Sequence, residues 1–396
     1  MAAALRQQGW NGPIRIVSEE RYLPYERPPL SKAFLKERLP VEKLALRPDG
    51  FYKAQQIEVL QGARVQHIHR SSASVELAGG EMLPYEYLVI ATGSKHRRLP
   101  APGVDLPFVH QLRSIYDAQR LLQFGRPGKR IAVIGGGYVG LETAASLHSL
   151  GVKPIVIERE QRLLSRVASE VLAGFVREVH IRKGTEVSLS TQVEAILGQG
   201  DRCDGVQLRD GRLIECDAVL VGIGALANDD LARSAGLDCN DGVLVDLQCR
   251  SSDQRIFAIG DCARRDVLGY GAMLRLESIP STQEQAKVVA ATLVGRPASP
   301  SGAPWFWSDQ FGFKIQIAGI VACAGKSFTR GSVREGSFAV YHLDETRRLR
   351  AVESVGLAPE FMLGKSLIQS GATIPAELEQ APIADLREAL RSVLTV

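Results

Sequence analysis

The sequence lacks most of the features that would mark a secreted, membrane-bound or nucleic-acid-binding protein. Its six cysteines, Cys203, Cys216, Cys239, Cys249, Cys262 and Cys323, are never closer than ten residues apart. No C-x-x-C pair and no metal-ligand spacing results, which excludes a local thiol relay and a zinc site and leaves reduced structural thiols as the expectation. No apolar run approaches the length of a membrane-spanning helix. The first residues, Met1-Ala-Ala-Ala-Leu-Arg-Gln-Gln, lack the basic-then-apolar order of a signal peptide, so a cytoplasmic location is expected. Charge of one sign is also missing: 48 Lys and Arg against 44 Asp and Glu leave +4, too little for a dedicated nucleic-acid binder. Apolar residues at 45% and charged residues at 23% are ordinary for a globular chain, and 396 residues suffice for two or three domains.

What is present alternates short Val/Ile-rich runs with helical segments, the pattern of α/β layers built on parallel strands. Strands are expected at residues 14–17, 85–91, 131–134, 155–157, 218–223 and 256–259, with a helix over 138–150. Pro- and Gly-rich stretches at 95–107 and 295–304 read as linkers. Ala144 to Gly151 followed by Pro154-Ile155-Val156-Ile157 echoes Ala2 to Gly9 followed by Pro13-Ile14-Arg15-Ile16, as two copies of one nucleotide-binding half would.

The strongest motif is Gly135-Gly136-Gly137-Tyr138-Val139-Gly140, a G-x-G-x-x-G that leaves an apolar strand and opens a helix. Gly135 permits the tight turn, Gly137 admits a pyrophosphate to the backbone N–H groups, and Gly140 lets helix pack on strand. Glu158, at the end of the following strand, is placed to accept from ribose hydroxyls and to repel a 2′-phosphate, which favours NADH over NADPH; the adjacent Arg159 pulls the other way. Gly260-Asp261 and Thr92-Gly93 each end an apolar strand and read either as nucleotide-contacting turns or as plain turns. In Arg27-Pro28-Pro29-Leu30-Ser31-Lys32, two cations stand beside Ser31, expected to cap a helix; an anion site and a solvated helix start both fit.

Read in order, Y-E-R-P-P-L-S-K, L-V-I-A-T-G, I-G-G-G-Y-V-G-L-E, A-I-G-D-C-A, R-L-E-S-I-P and P-W-F-W-S-D-Q span essentially the whole chain. This set resembles the FAD-dependent ferredoxin reductases that serve aromatic-ring dioxygenases, with the rubredoxin and putidaredoxin reductases. The resemblance implies an α/β fold of two Rossmann-like nucleotide-binding domains and a small C-terminal α+β domain. It implies FAD-binding segments at 1–105 and 226–303, an NAD-binding domain at 106–225, and an interface domain at 304–396. It also implies an NADH-dependent ferredoxin reductase of aromatic hydrocarbon catabolism, passing electrons from NADH through FAD to a small 2Fe–2S ferredoxin or to rubredoxin. The disulfide reductases carry a cysteine pair where this chain has Arg27 to Lys32, so electrons would leave the flavin without thiols.

By position, the resemblance puts Lys32 against the flavin ring, where a cation favours the reduced form, and Glu142 near the nicotinamide. Arg27, Val65, Arg113, Asp261 and Ile279 would contact flavin, and Glu19 the adenosine ribose of FAD. Thr92, Gly93, Gly224 and Gly260 join them, and Gly135, Gly137, Gly140 and Glu158 would hold NADH. Trp305 would lie by the far face of the flavin, at the electron exit, although ordinary interdomain packing explains Trp305 and Trp307 equally. One piece is missing: the family's first strand and first G-x-G-x-x-G. The internal repeat places both upstream of Met1, so the sequence is expected to start inside the first helix of an N-terminally truncated FAD domain. Reduction of a quinone or radical acceptor, and a flavin-free NAD-binding remnant, are the rival readings. The basic stretch Lys95, His96, Arg97 and Arg98, with Arg264 and Arg265, reads as a docking patch for an acidic ferredoxin or as solubilising charge.

Overall fold

A computed structural model describes residues 1–300 and 302–389; Ser301 and the last seven positions of the expected C-terminal segment, 390–396, lie outside the described residues. The chain divides into two compact units. One comprises Met1–Glu26, Glu42–Lys95 and Ala225–Gly302, and the other Arg27–Val41, His96–Gly224 and Ala303–Val396. Arg27–Val41, read from the sequence within the first FAD segment, therefore belongs to the same unit as the glycine fingerprint.

In that second unit a five-stranded parallel sheet runs in the order Glu186–Ser188, Lys153–Ile157, Arg130–Ile134, Ala218–Val221, Val109–His110. Beyond the leading Arg130 and Lys153 its central strands are apolar because both faces are covered: Ile131, Ala132 and Val133 are fully buried, as are Ala218 and Val219. The helix Tyr138–Ser149 follows the strand Arg130–Ile134 through the glycine turn. An antiparallel meander, Val193–Gln199, Arg202–Leu208 and Leu213–Ile214, shares a core with the parallel sheet through Phe108, Ile196, Val206 and Val219. The C-terminal part is a five-stranded antiparallel sheet that opens with Trp305–Gln310 and carries the helix Ala358–Ser370. Tyr341, Val352, Phe361 and Leu367 are buried between them.

The first unit has shorter strands. Ile14–Ser18 pairs in parallel with Ile57–Gln61, and Leu88–Ile90 with Ile256–Ala258. The strand expected over 85–91 is thus cut to three residues, because Tyr85, following Pro84, donates its N–H to Ala73 O instead. The helix Ile279–Leu293 starts at Ser278, whose hydroxyl accepts from Ser281 N. The internal repeat is visible in both units as helix then strand: Ala2–Gln7 before Ile14–Ser18, and Tyr138–Ser149 before Lys153–Ile157. Among the described residues, no helix is long and apolar enough to cross a membrane.

Candidate functional site

The glycine turn of the second unit has the geometry that its three glycines predict. Gly135 has φ +109°, and a Cβ there would lie 2.5 Å from Gly222 O. A Cβ on Gly140 would lie 2.6 Å from Gly135 O, so helix and turn touch backbone to backbone. Gly137 faces open space and is the N-cap of Tyr138–Ser149 with no side chain capping it, which leaves the first N–H groups of that helix to an incoming anion. Glu158 directly follows the strand Lys153–Ile157 and accepts from Gly136 N at 2.6 Å and from Glu160 N at 2.9 Å. It therefore braces the turn, a role the sequence did not reveal.

Lys32 and Glu142, 110 positions apart, meet: Nζ lies 3.2 Å from Oε1. Glu142 is 6% exposed and has three donors. Ser31 Oγ donates to Oε2 at 2.7 Å, Ser308 Oγ donates to Oε1 at 2.6 Å, and the Lys32 ammonium completes the set. Burial of this carboxylate is compensated by three donors, one of them cationic. Ser31 is not a helix cap, contrary to the sequence reading: Lys32 occupies the N-cap position of Ala33–Glu37 without side-chain capping, and the Ser31 hydroxyl is turned to Glu142. Its carbonyl accepts from Ser146 Oγ at 2.7 Å, which locks the Pro28–Ser31 turn onto the fingerprint helix. The Lys32 ammonium also sits 5.8 Å from the Trp307 ring centroid and 3.8 Å from Asp309 Oδ2. Arg27 donates from Nη1 to Arg113 O at 2.7 Å, so these two expected contacts are neighbours.

Trp305 opens the strand Trp305–Gln310 with its ring 5.7 Å from Trp307 and 5.6 Å from Phe361, and Lys365 Nζ lies 4.8 Å over it. Gly224 has φ +103°, and its carbonyl accepts from Arg97 N.

In the first unit, Gly260 follows the strand Ile256–Ala258 at φ +76° and donates its N–H to Gln285 Oε1 at 2.6 Å. Asp261 Oδ2 accepts from Ser94 Oγ at 3.1 Å, and Asp261 O accepts from Arg275. Thr92 Oγ1 donates to Asn228 O, and Gly93 O accepts from Asn228 N. The Thr92–Ser94 and Gly260–Asp261 turns are thereby brought side by side. Glu19 directly follows Ile14–Ser18, as Glu158 follows its own strand; it is exposed, 3.8 Å from Arg64. Val65 starts the strand Val65–His69, and Ile279, 38% exposed, starts the helix Ile279–Leu293.

Two further outcomes differ from what spacing suggested. Cys203 and Cys216 sulfurs lie 3.6 Å apart, a thiol pair hidden by a separation of thirteen residues. The basic stretch is largely spent on acids: Lys95 pairs with Asp230 and Arg98 with Asp105. Arg265 is 3% exposed and bonded to Glu284 at 2.7 Å, and Arg264 donates to Asn240 O and Met273 O. Four of the cations that read as a docking patch or as solubilising charge, Lys95, Arg98, Arg264 and Arg265, are thus already engaged.

A dinucleotide turn with a strand-end acid, beside a buried carboxylate paired with a half-buried lysine, defines a pyridine-nucleotide oxidoreductase. The comparisons agree. Residues 1–286 match the model of the pyridine nucleotide-disulphide oxidoreductase family, and residues 305–393 match the reductase C-terminal family. The chain is 42% identical over 378 residues to "Probable ferredoxin reductase CtmF" of Castellaniella defragrans, covering 95% of this chain and 92% of the relative. It is 38% identical to rhodocoxin reductase of Rhodococcus erythropolis, covering 97% and 89%. The crystal structure of the covalent putidaredoxin reductase–putidaredoxin complex superposes with a TM-score of 0.95 at 33% identity, over 99% of this chain and 95% of that one. The chain belongs to the pyridine nucleotide-disulphide oxidoreductase family, in its ferredoxin-reductase branch. It is an oxidoreductase that uses FAD and NAD(P)H.

Proposed function

We propose that this chain takes electrons from NADH and delivers them one at a time to a small iron–sulfur protein, a 2Fe–2S ferredoxin or rubredoxin, that feeds a cytoplasmic oxygenase of aromatic catabolism. The observation that carries the reading is the pairing of Lys32 with Glu142, a buried carboxylate on the fingerprint helix seven residues past Gly135. FAD, when bound, accepts the electron pair of a hydride and releases electrons singly. The residues present suit it: Lys32 supplies a cation for the reduced ring, and Asp261 and Glu19 supply carboxylates for the sugar chain and the ribose. Arg27, Val65, Thr92, Gly93, Arg113, Gly224, Gly260 and Ile279 are its further contacts, and Trp305 marks the exit.

Gly135, Gly137 and Gly140 hold the NADH pyrophosphate, and Glu158 takes its ribose. Glu142 orients the nicotinamide end and holds Lys32 in place. No general base is needed, because hydride transfer depends on alignment rather than on a proton at the reacting carbon. In this reading residues 1–105 and 226–303 serve FAD, 106–225 NADH, and 304–396 the partner.

Lys32→Met in the FAD-loaded protein tests the reading. Loss of a charged contact to the reduced ring should slow NADH-dependent flavin bleaching by about ten- to hundredfold, with little change in NADH affinity. Bleaching at the parental rate would place Lys32 away from the flavin.

A further inference from the structure

The carboxylate of Glu142 stands at the end of a longer buried chain. Ser308 Oγ donates to Glu142 Oε1 at 2.6 Å. Gln310 Nε2 donates to Ser308 Oγ at 3.0 Å. His180 Nε2 lies 2.9 Å from Gln310 Oε1. Ser308 and His180 are fully buried, and Gln310 is 3% exposed. His180 comes from the helix Glu170–Arg182, whereas Ser308 and Gln310 come from the strand Trp305–Gln310.

The direction of this chain follows from valence. An ionised carboxylate only accepts, so the Ser308 hydroxyl must spend its single proton on Glu142. The Ser308 oxygen can then only accept, and among the described residues the amide N–H of Gln310 donates to it. With its nitrogen turned that way, Gln310 presents its carbonyl to His180, and His180 must be the Nε2–H tautomer. If the amide turned over, its oxygen would face a serine oxygen with no proton left to share. Burial pushes His180 down to about 4, so the ring is neutral and has one N–H to give. That N–H goes to Gln310, and Nδ1 has no partner among the described residues. The Phe311 ring lies 4.9 Å from His180 and 5.4 Å from His148.

We propose that His180 is a positioning residue for the reaction: it fixes the amide of Gln310, which fixes the Ser308 hydroxyl, which holds Glu142 and through it Lys32. The proposal rests on the reading that Lys32 and Glu142 face the cofactors. Among the described residues neither Ser308 nor Gln310 bonds Lys32 directly, and the bonded path from His180 to the ammonium runs through Glu142.

The test uses FAD-loaded protein and reads the flavin reduction potential and the NADH reduction kinetics. His180→Phe keeps an aromatic ring but removes the donor. It should displace the reduction equilibrium about tenfold, about 30 mV for two electrons, in the same direction as Glu142→Gln. The limiting rate of flavin reduction should fall several-fold while the NADH dissociation constant changes less than twofold. His180→Gln, which restores an N–H donor, should recover most of both. In a Ser308→Ala background, His180→Phe should add nothing, because the chain is already cut. Gln310→Met, approached from the other side, should match His180→Phe and covers the case in which His180→Phe does not fold.

An effect of His180→Phe that persists undiminished in Ser308→Ala, or failure of His180→Gln to rescue, would overturn the positioning role. A potential that is unmoved by His180→Phe and Gln310→Met, but moved by Ser308→Ala, would also overturn it. If Glu142→Gln and Ser308→Ala both leave the potential unchanged, the functional reading itself fails and this proposal falls with it.

Discussion

Removal of the Glu158 carboxylate should cost the protein its choice of nucleotide. In the structure Glu158 braces Gly136 N at 2.6 Å and Glu160 N at 2.9 Å, one N–H on each oxygen. Each carboxylate oxygen has a second lone pair, so ribose hydroxyls can be accepted without releasing the turn. Glu158→Ala removes both functions. The ribose bond to a charged acceptor is worth about 1.5–3 kcal/mol, or about one to two decades in kcat/KM for NADH. The slackened turn lowers NADH and NADPH alike and cancels in their ratio. NADPH, in addition, loses the repulsion between its 2′-phosphate and the carboxylate. The ratio of kcat/KM for NADH over NADPH should therefore fall by at least about tenfold. Glu158→Gln keeps one acceptor oxygen and should fall part of the way. The assay is ferricyanide reduction with both nucleotides at fixed ionic strength. An unchanged ratio in Glu158→Ala, whatever the absolute rates, would place the carboxylate away from the ribose and refute the reasoning.

Other consequences are as open to measurement. Burial pushes His110 and His180 down to about 4, mainly by desolvation, against an ordinary value of 6.5. The unfolded chain thus binds protons that the folded chain refuses between pH 6.5 and pH 4. Stability should be flat above about pH 6.5 and fall below it, by about 2 kcal/mol per histidine at pH 5. Denaturant unfolding at pH 7 and pH 5 reads this directly, and a midpoint unchanged between them would contradict the desolvation argument. Because Lys95 and Arg98 are already paired with Asp230 and Asp105, Lys95→Ala and Arg98→Ala should leave the salt dependence of ferredoxin reduction nearly as it is. A markedly shallower salt slope in either variant would restore the docking role that their clustering in the sequence suggested.

The parts of the site that sequence exposes are the local ones. Gly135, Gly137 and Gly140 fall within six residues of one another, and Glu158 lies where the next strand must end, so spacing alone carries them. The Lys32–Glu142 pair came into view only through resemblance to a family, since nothing in spacing ties residues 110 positions apart. Its supports were invisible for the same reason: Ser31, Ser308 and His180 reach it from separate elements, 111 to 166 positions apart in the individual bonds. Ser308 and Gln310 were on view in the P-W-F-W-S-D-Q motif, yet alternation along a strand does not say which neighbour a hydroxyl meets. The cysteine spacing misled in the opposite sense. A strand, a turn and a second strand fold Cys216 back to within 3.6 Å of Cys203. The partners of the basic stretch were hidden because a run of cations is read from one segment, while Asp230, which pairs Lys95, lies 135 positions on.

The account stands most directly on where the electrons go between NADH and the iron–sulfur partner. The decisive measurement is anaerobic mixing of NADH with FAD-loaded protein in which all six cysteines are replaced by serine or alanine, followed by addition of an oxidised 2Fe–2S ferredoxin. The account predicts that flavin absorbance bleaches at close to the parental rate and returns as two equivalents of ferredoxin are reduced for each NADH. A cysteine-free protein that is folded and flavin-loaded but passes no electrons to ferredoxin would contradict it, and would assign the relay to a thiol pair such as Cys203 and Cys216.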